Sequence, residues 1–203
     1  HWQLWASTTG FVFARDNFVL NGRINGITTQ ITQPSNGQLP DAYEGESYST
    51  TIQASFGTPP YSFGGGSGLP SGLSLASGGQ VSGTPPVGSA GSYNSVNVTV
   101  TDGDGTISRT LAIDVLLPPE ITTTSVPNTV VNFAYDQLIS AINGRAPYSW
   151  SATGLPPGLS INSSGRITGQ ATTAGTYNSV RVTVTDQNGK TDSADFTIVV
   201  APP

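Results

Sequence analysis

Twelve carboxylates and a single imidazole limit the chemistry open to this chain. The histidine is residue 1 and there is no cysteine, so neither a nucleophile–base pair nor a thiolate metal site can be assembled. No serine sits in a Gly-x-Ser-x-Gly elbow between a strand and a helix. Glu44 with Glu46, and Asp102 with Asp104, are spaced like paired acids, but they fall in or beside predicted turns, where acidic residues are ordinarily solvated. Asp102-Gly103-Asp104-Gly105 also has the acidic spacing with which a hard-oxygen calcium loop begins, yet the ligand run ends there and no downstream glutamate closes it. The expectation is a chain without catalytic residues and without a cofactor.

These residues are carried by elements that occur twice. Gly-Leu-Pro-x-Gly-Leu-Ser runs from Gly68 and again from Gly154, and each copy continues through a Gly-x-Val/Ile-Ser/Thr-Gly turn to Tyr-Asn-Ser-Val-x-Val-Thr-Val-Thr-Asp. Leu69 and Leu155 are 86 positions apart and Tyr93 and Tyr177 84 apart, which marks an internal duplication. Within it Val96, Val98 and Val100 alternate with polar residues, as do Val180, Val182 and Val184, so each run is a strand with one face in a core. Asp102–Gly105 and Asp186–Gly189 then turn the chain into a second alternating run, Leu111, Ile113, Val115 in one copy and Phe196, Ile198, Val200 in the other. Leu111 and Phe196 are 85 apart, so the second copy gains one residue after the tyrosine, in the turn or as a bulge.

The order Pro-Tyr-Ser-aromatic, Gly-Leu-Pro-x-Gly-Leu-Ser, Gly-x-Val/Ile-x-Gly, Gly-x-Tyr, Val-x-Val-Thr-Asp resembles the Ig-type and cadherin-like repeats of bacterial surface proteins and phage structural proteins, over Leu39 to Pro203. The resemblance implies an all-β fold of two tandem Ig-like antiparallel sandwiches of seven strands, 39–117 and 118–203. It also implies that Trp150 is a core residue and that Tyr93 and Tyr177 pin a corner of each sandwich through their hydroxyls. In cadherin-like proteins an aspartate after the penultimate strand helps to bind calcium between domains; Asp186 matches that position, and the resemblance makes Asp186 with Glu120 of the linker a candidate calcium pair. The rest of such a ligand set is missing, and a β-turn aspartate is the simpler reading.

Composition agrees with this fold. Charged residues are 9% of the chain, with 25 Gly and 15 Pro, a balance that favours short strands and turns. Net charge is −5 with seven basic residues scattered singly, so no basic stripe exists to neutralise phosphates and nucleic acid is not an expected partner. No run of 18 apolar residues is present to span a membrane as a helix. A chain beginning at His1 and not Met is expected to be processed or a fragment.

Residues 1–38 stand outside the duplication. Trp2, Leu4, Trp5, Phe11, Phe13 and Phe18 are dense for so short a piece, and Asn21-Gly22 is a hairpin signal between strands expected near 10–20 and 23–32, with a linker over 33–38. A lone hairpin is marginal in water, so this N-terminal β-hairpin arm is expected to pack on something, and assembly with other subunits through those six side chains is the expectation. The functional expectation is an extracellular, non-catalytic structural protein of a bacterial surface or virion appendage, with Ig-like modules as rigid spacers. The alternative is an adhesin or carbohydrate-binding module that meets cell-surface glycans. The aromatic residues of the repeats align with core positions, which favours the first.

Overall fold

The structure, a computed structural model, describes residues 28–203. The expected hairpin before Thr28, and Trp2, Leu4, Trp5, Phe11, Phe13 and Phe18 with it, lie outside the described residues.

The described residues form strands and turns in two successive sandwiches. The first contains β1 (Gln30–Gln33), β2 (Ala42–Tyr43), β3 (Tyr48–Thr51), β4 (Gln53–Ser55), β5 (Ser62–Ser67), β6 (Leu73–Leu75), β7 (Gln80–Gly83), β8 (Gly91–Thr101) and β9 (Thr106–Leu116). One layer is ordered β2-β9-β8-β5, the facing layer β3-β7-β6, and β1 pairs with β4. The second contains β10 (Glu120–Ile121), β11 (Thr129–Val130), β12 (Ala134–Leu138), β13 (Ala141–Ile142), β14 (Ser149–Thr153), β15 (Leu159–Ile161), β16 (Arg166–Gln170), β17 (Gly175–Thr185) and β18 (Thr191–Ala201). Its layers repeat the pattern as β11-β18-β17-β14 and β12-β16-β15, with β10 on β13.

The alternating runs face inward as their period requires. Val96, Val98, Val100, Val180, Val182 and Val184 are all 0% exposed. Leu111, Ile113 and Val115 close the first core against Val81, Ile52 and Leu39, and Phe196, Ile198 and Val200 close the second against Ile167 and Ile139. Each long hairpin carries a bulge, between Tyr93 and Val96 in β8 and between Tyr177 and Val180 in β17. The extra residue reverses the facing of the strand, so both the tyrosine and the valines pack on the core. The tyrosine hydroxyls then donate to backbone carbonyls four residues back, Tyr93 to Ser89 at 2.8 Å and Tyr177 to Thr173 at 3.1 Å. Trp150, on β14 opposite Val184, packs against the second core as expected. The residue gained by the second copy is Lys190, in the turn: Asp102 N–H closes on the Gly105 carbonyl, whereas Asp186 N–H closes on that of Lys190.

Two expectations are corrected. The sandwiches are not wholly antiparallel, because β2 runs parallel to β9 and β11 parallel to β18. The chain pairs first with one layer as β1; Pro34 and Pro40 lack the N–H that would continue the ladder, and the chain crosses to run beside the last strand of the other layer. Nor does the first sandwich begin at residue 39. Ile31 is buried in its core, β1 is one of its strands, and the Arg109 guanidinium donates to the carbonyls of Ile31 at 2.7 Å and Ser35 at 2.9 Å. Residues 33–38, expected to be a linker, are thus an internal crossover of the sandwich.

Candidate functional site: the junction between the repeats

Among the described residues, a connected cluster of polar side chains lies where the two sandwiches meet. The parallel pairing of β2 with β9 sets Ala42 opposite Val115, which places Asp41 and Asp114, one residue before each, side by side at the far end of the first repeat, with Tyr43 and Glu46 next to them. The second repeat faces them with the β13–β14 loop, which carries Arg145, and the β17–β18 turn, Asp186 to Lys190.

Arg145 is held by both acids of the first repeat. Its Nε donates to Asp41 Oδ2 at 2.7 Å, and its Nη2 reaches Asp41 Oδ1 at 2.5 Å and Asp114 Oδ2 at 2.6 Å. This forked pairing fixes an angle as well as a distance, which a lysine could not do. The acids push the guanidinium pKa up, and the Ser92 hydroxyl and Arg145 hold the Asp114 carboxyl below its usual range.

Asp186, 4% exposed, is the other centre. Tyr43 donates its hydroxyl to Asp186 Oδ2, to which the Arg145 backbone N–H donates at 3.0 Å; the N–H groups of Asn188 and Lys190 reach Oδ1 at 2.9 and 2.8 Å. Burial pushes this carboxyl up, but the hydrogen bonds from Tyr43 and from the Arg145, Lys190 and Asn188 backbone together outweigh it and hold the pKa below the usual range. Burial, then the bond to Asp186, pushes the Tyr43 phenol up. Asn188 Nδ2 donates to Asp41 Oδ2 at 2.8 Å and to Tyr43 Oη at 3.0 Å. Lys190 pairs with Glu46 and lies 5.2 Å from the centre of the Tyr43 ring. The linker is tied in too: Gly144 N–H donates to the Leu117 carbonyl at 2.9 Å and Ile121 N–H to Asp192 at 2.7 Å.

The first repeat builds the same turn from its own residues. Asp102 accepts from the Thr58, Asp104 and Gly105 N–H groups at 2.8, 2.9 and 3.1 Å, as Asp186 does from Arg145, Asn188 and Lys190, and the Thr29 hydroxyl stands where Tyr43 stands. Gly57 and Gly144 make the approach possible: a Cβ at Gly57 would lie 1.8 Å from Asp102 Oδ2, and one at Gly144 2.9 Å from Asp186 Oδ2.

Of the residues singled out in the sequence, Asp186 is in this cluster. Glu120 is exposed on β10 and shares no hydrogen bond or ion pair with it. The positive charge at the junction comes from Arg145 and Lys190, and the described residues hold no grouping of three or more His, Cys, Asp or Glu side chains placed for a metal ion. Glu44, expected to be solvated, is 9% exposed and accepts from the Ala90 N–H, while Glu46 pairs with Lys190. Asp41, Tyr43, Asp114, Arg145, Asn188 and Lys190 were not singled out. A signal existed: they are positions where the copies differ in character, Tyr43 against Val130, Glu46 against Phe133, Thr58 against Arg145, Asp114 against Val199, with Lys190 inserted. Beside the cluster lies an open groove of about 280 Å³ lined by Asp41, Tyr43, Glu46, Ser47, Tyr48 and Lys190, with no histidine among its described lining residues.

Two sandwiches of one pattern, joined through a polar interlock, define a tandem Ig-like protein. The chain belongs to the family described as Putative Ig domain, whose profile matches residues 28–116 and again 114–201. The first match starts at the segment that pairs as β1. Tandem Ig-like units of this kind suggest a structural or adhesive extracellular module and are typically non-enzymatic. Similar solved structures include Drosophila OTK extracellular domains 3–5, at 15% identity and a TM-score of 0.48 over 85% of this chain and 62% of that one. Titin I-band fragment I67–I69 is similar at 13% identity and a TM-score of 0.46, over 82% of this chain and 64% of that one. An endo-fucoidan hydrolase of glycoside hydrolase family 107 matches at 20% identity and a TM-score of 0.36, over 82% of this chain but only 28% of its own. This chain thus spans less than a third of that enzyme. No curated protein matches the sequence.

Proposed function

We propose that the chain is a non-catalytic, extracellular spacer of a surface or virion appendage, in which two Ig-like units are held as one strut. The observation that carries this reading is the Arg145 fork on Asp41 and Asp114 together with the Tyr43–Asp186 bond. A tether between independent domains needs none of these. Here both repeats give up solvated charge to a joint that specifies one orientation, and two prolines, Pro118 and Pro119, stiffen the connection. The groove beside the joint offers Ser47 and Tyr48 together with a lysine paired to Glu46 and a tyrosine bonded to Asp186, and the sequence holds no cysteine and a single histidine, His1, with which to activate a hydroxyl. Immunogold electron microscopy of the native source tests the reading. Label along a fibre, spike or virion projection supports it, while label dispersed in the cytoplasm contradicts it. A glycan array on which the chain shows saturable, selective binding would favour the adhesive alternative.

A further inference from the structure

Asn188 of the joint is followed by Gly189, and Asn36-Gly37 in the crossover of the first repeat is a pair of the same type. Both asparagines are exposed, and in both pairs the glycine N–H is engaged within its own turn, Gly37 on the Pro34 carbonyl at 3.2 Å and Gly189 on the Asp186 carbonyl at 3.1 Å. The side chains are held differently. Asn36 Oδ1 accepts from the Gln38 N–H of its own loop at 3.0 Å. The Asn188 amide crosses to the other repeat, where Nδ2 donates to Asp41 Oδ2 and Tyr43 Oη. An asparagine before glycine can be attacked by the next backbone nitrogen, because glycine has no side chain to hinder the approach. For Asn188 the Gly189 nitrogen bonds to Cγ, the Cγ–Nδ2 bond breaks, and the Gly189 amide proton leaves with Nδ2 as ammonia. Water then opens the cyclic imide at either carbonyl, giving aspartate or the isomer whose backbone runs through the side-chain carboxyl; asparagine and water have become a carboxylic acid and ammonia, without oxidant or reductant.

We propose that Asn188 is a deamidation site controlled by the joint: the closed joint slows the conversion, and conversion while the joint is open keeps it from closing again. To bring Cγ onto the Gly189 nitrogen the side chain must leave both Asp41 and Tyr43, and the Gly189 N–H must leave the Asp186 carbonyl. The product then opposes the joint. An ionised carboxylate accepts and cannot donate, so the two bonds to the first repeat are lost, and the new charge stands against the carboxylate of Asp41, where like charges repel. The isomer also adds a methylene to the backbone of the turn. The proposal rests on the two repeats being held as one strut, since only then is the amide held, and it gives each strut a one-way chemical record of having opened.

The test incubates the full chain in warm, mildly alkaline buffer and follows Asn188 and Asn36 by peptide mass mapping, in the parent and in Arg145→Ala with Tyr43→Phe. In the parent, Asn188 is expected to convert several-fold more slowly than Asn36, a comparison within one folded molecule that needs no variant. In the double variant Asn188 is expected to convert several-fold faster than in the parent, with Asn36 unchanged. The same chains, carrying one spin label on each repeat, report whether the joint is closed. Equal Asn188 rates in a parent whose label distance is narrow and a variant whose distance is broad would overturn the proposal and leave the strut standing; a broad distance in the parent would remove the strut and the proposal together. Asn188→Asp supplies one product directly, and Asn188→Ala removes both bonds without adding charge. The label distance is expected to broaden more in Asn188→Asp than in Asn188→Ala, and a distribution no broader in the aspartate variant would overturn the claim that conversion holds the joint open.

Discussion

Tyr43 and Asp186 lie 143 positions apart and in different repeats, yet the phenol of one donates to the carboxylate of the other, both with 5% or less of their surface exposed. The bond completes a turn that the second repeat otherwise builds from its own backbone. Tyr43→Phe keeps the ring and removes one donor from a buried carboxylate, and should destabilise the second repeat by about 1–3 kcal/mol. Calorimetry of the full chain, with Thr29→Val as the matching change at Asp102, measures it; equal melting of Tyr43→Phe and the parent would contradict it.

Arg145→Ala leaves Asp41 and Asp114 side by side without their cation. Because 36% of the arginine side chain is exposed, solvent screens part of the loss, and about 1–2 kcal/mol is expected. Adding Asp41→Asn and Asp114→Asn should recover some of that, since the residual cost is repulsion between the two acids. A double-mutant cycle without coupling would show that the fork contributes nothing.

Both limbs of the pH dependence follow from the same groups. The Asp186 and Asp114 carboxyls are held below their usual range, so the stability they contribute is present above the unfolded value of ~3.9 and is lost as pH falls through their lower folded values. Tyr43 is pushed up, so its contribution is present below ~10 and is lost as pH rises beyond that and the unfolded phenol ionises. Tyr135, pushed up to about 12 by burial, adds to the alkaline limb, so the part due to the joint is the difference between Tyr43→Phe and the parent. Thermal unfolding from acid to alkaline pH checks both limbs.

Truncating Val98, fully buried on β8, to alanine should cost on the order of 1–3 kcal/mol through lost burial and a cavity. Chelator should leave the melting temperature unchanged, because Asp186 is satisfied by N–H and O–H donors. A fall of many degrees with chelator would show that a cation stabilises the folded state.

The sandwiches were legible because a two-residue period leaves no freedom: once Val96, Val98 and Val100 face inward, Leu111, Ile113 and Val115 across the hairpin must as well. The parallel β2–β9 edge was not, since two residues, Ala42 and Tyr43, carry no period. The joint was hidden for another reason. Aligning the copies to find what they share sets aside the places where they differ, and a junction between two copies of one module must be written in those differences. Arg145 meets Asp41 and Asp114 because the first copy has Thr58 where the second has arginine, and the second has Asn128 and Val199 where the first has the two acids.

The strut is tested most directly by the distance between spin labels on the two repeats. With no native cysteine, Ser74→Cys and Ser160→Cys place one label on the exposed face of each repeat. A single narrow distance distribution that broadens in Arg145→Ala with Tyr43→Phe is the predicted result; a broad distribution in the otherwise unsubstituted chain, unchanged by those two substitutions, would contradict it.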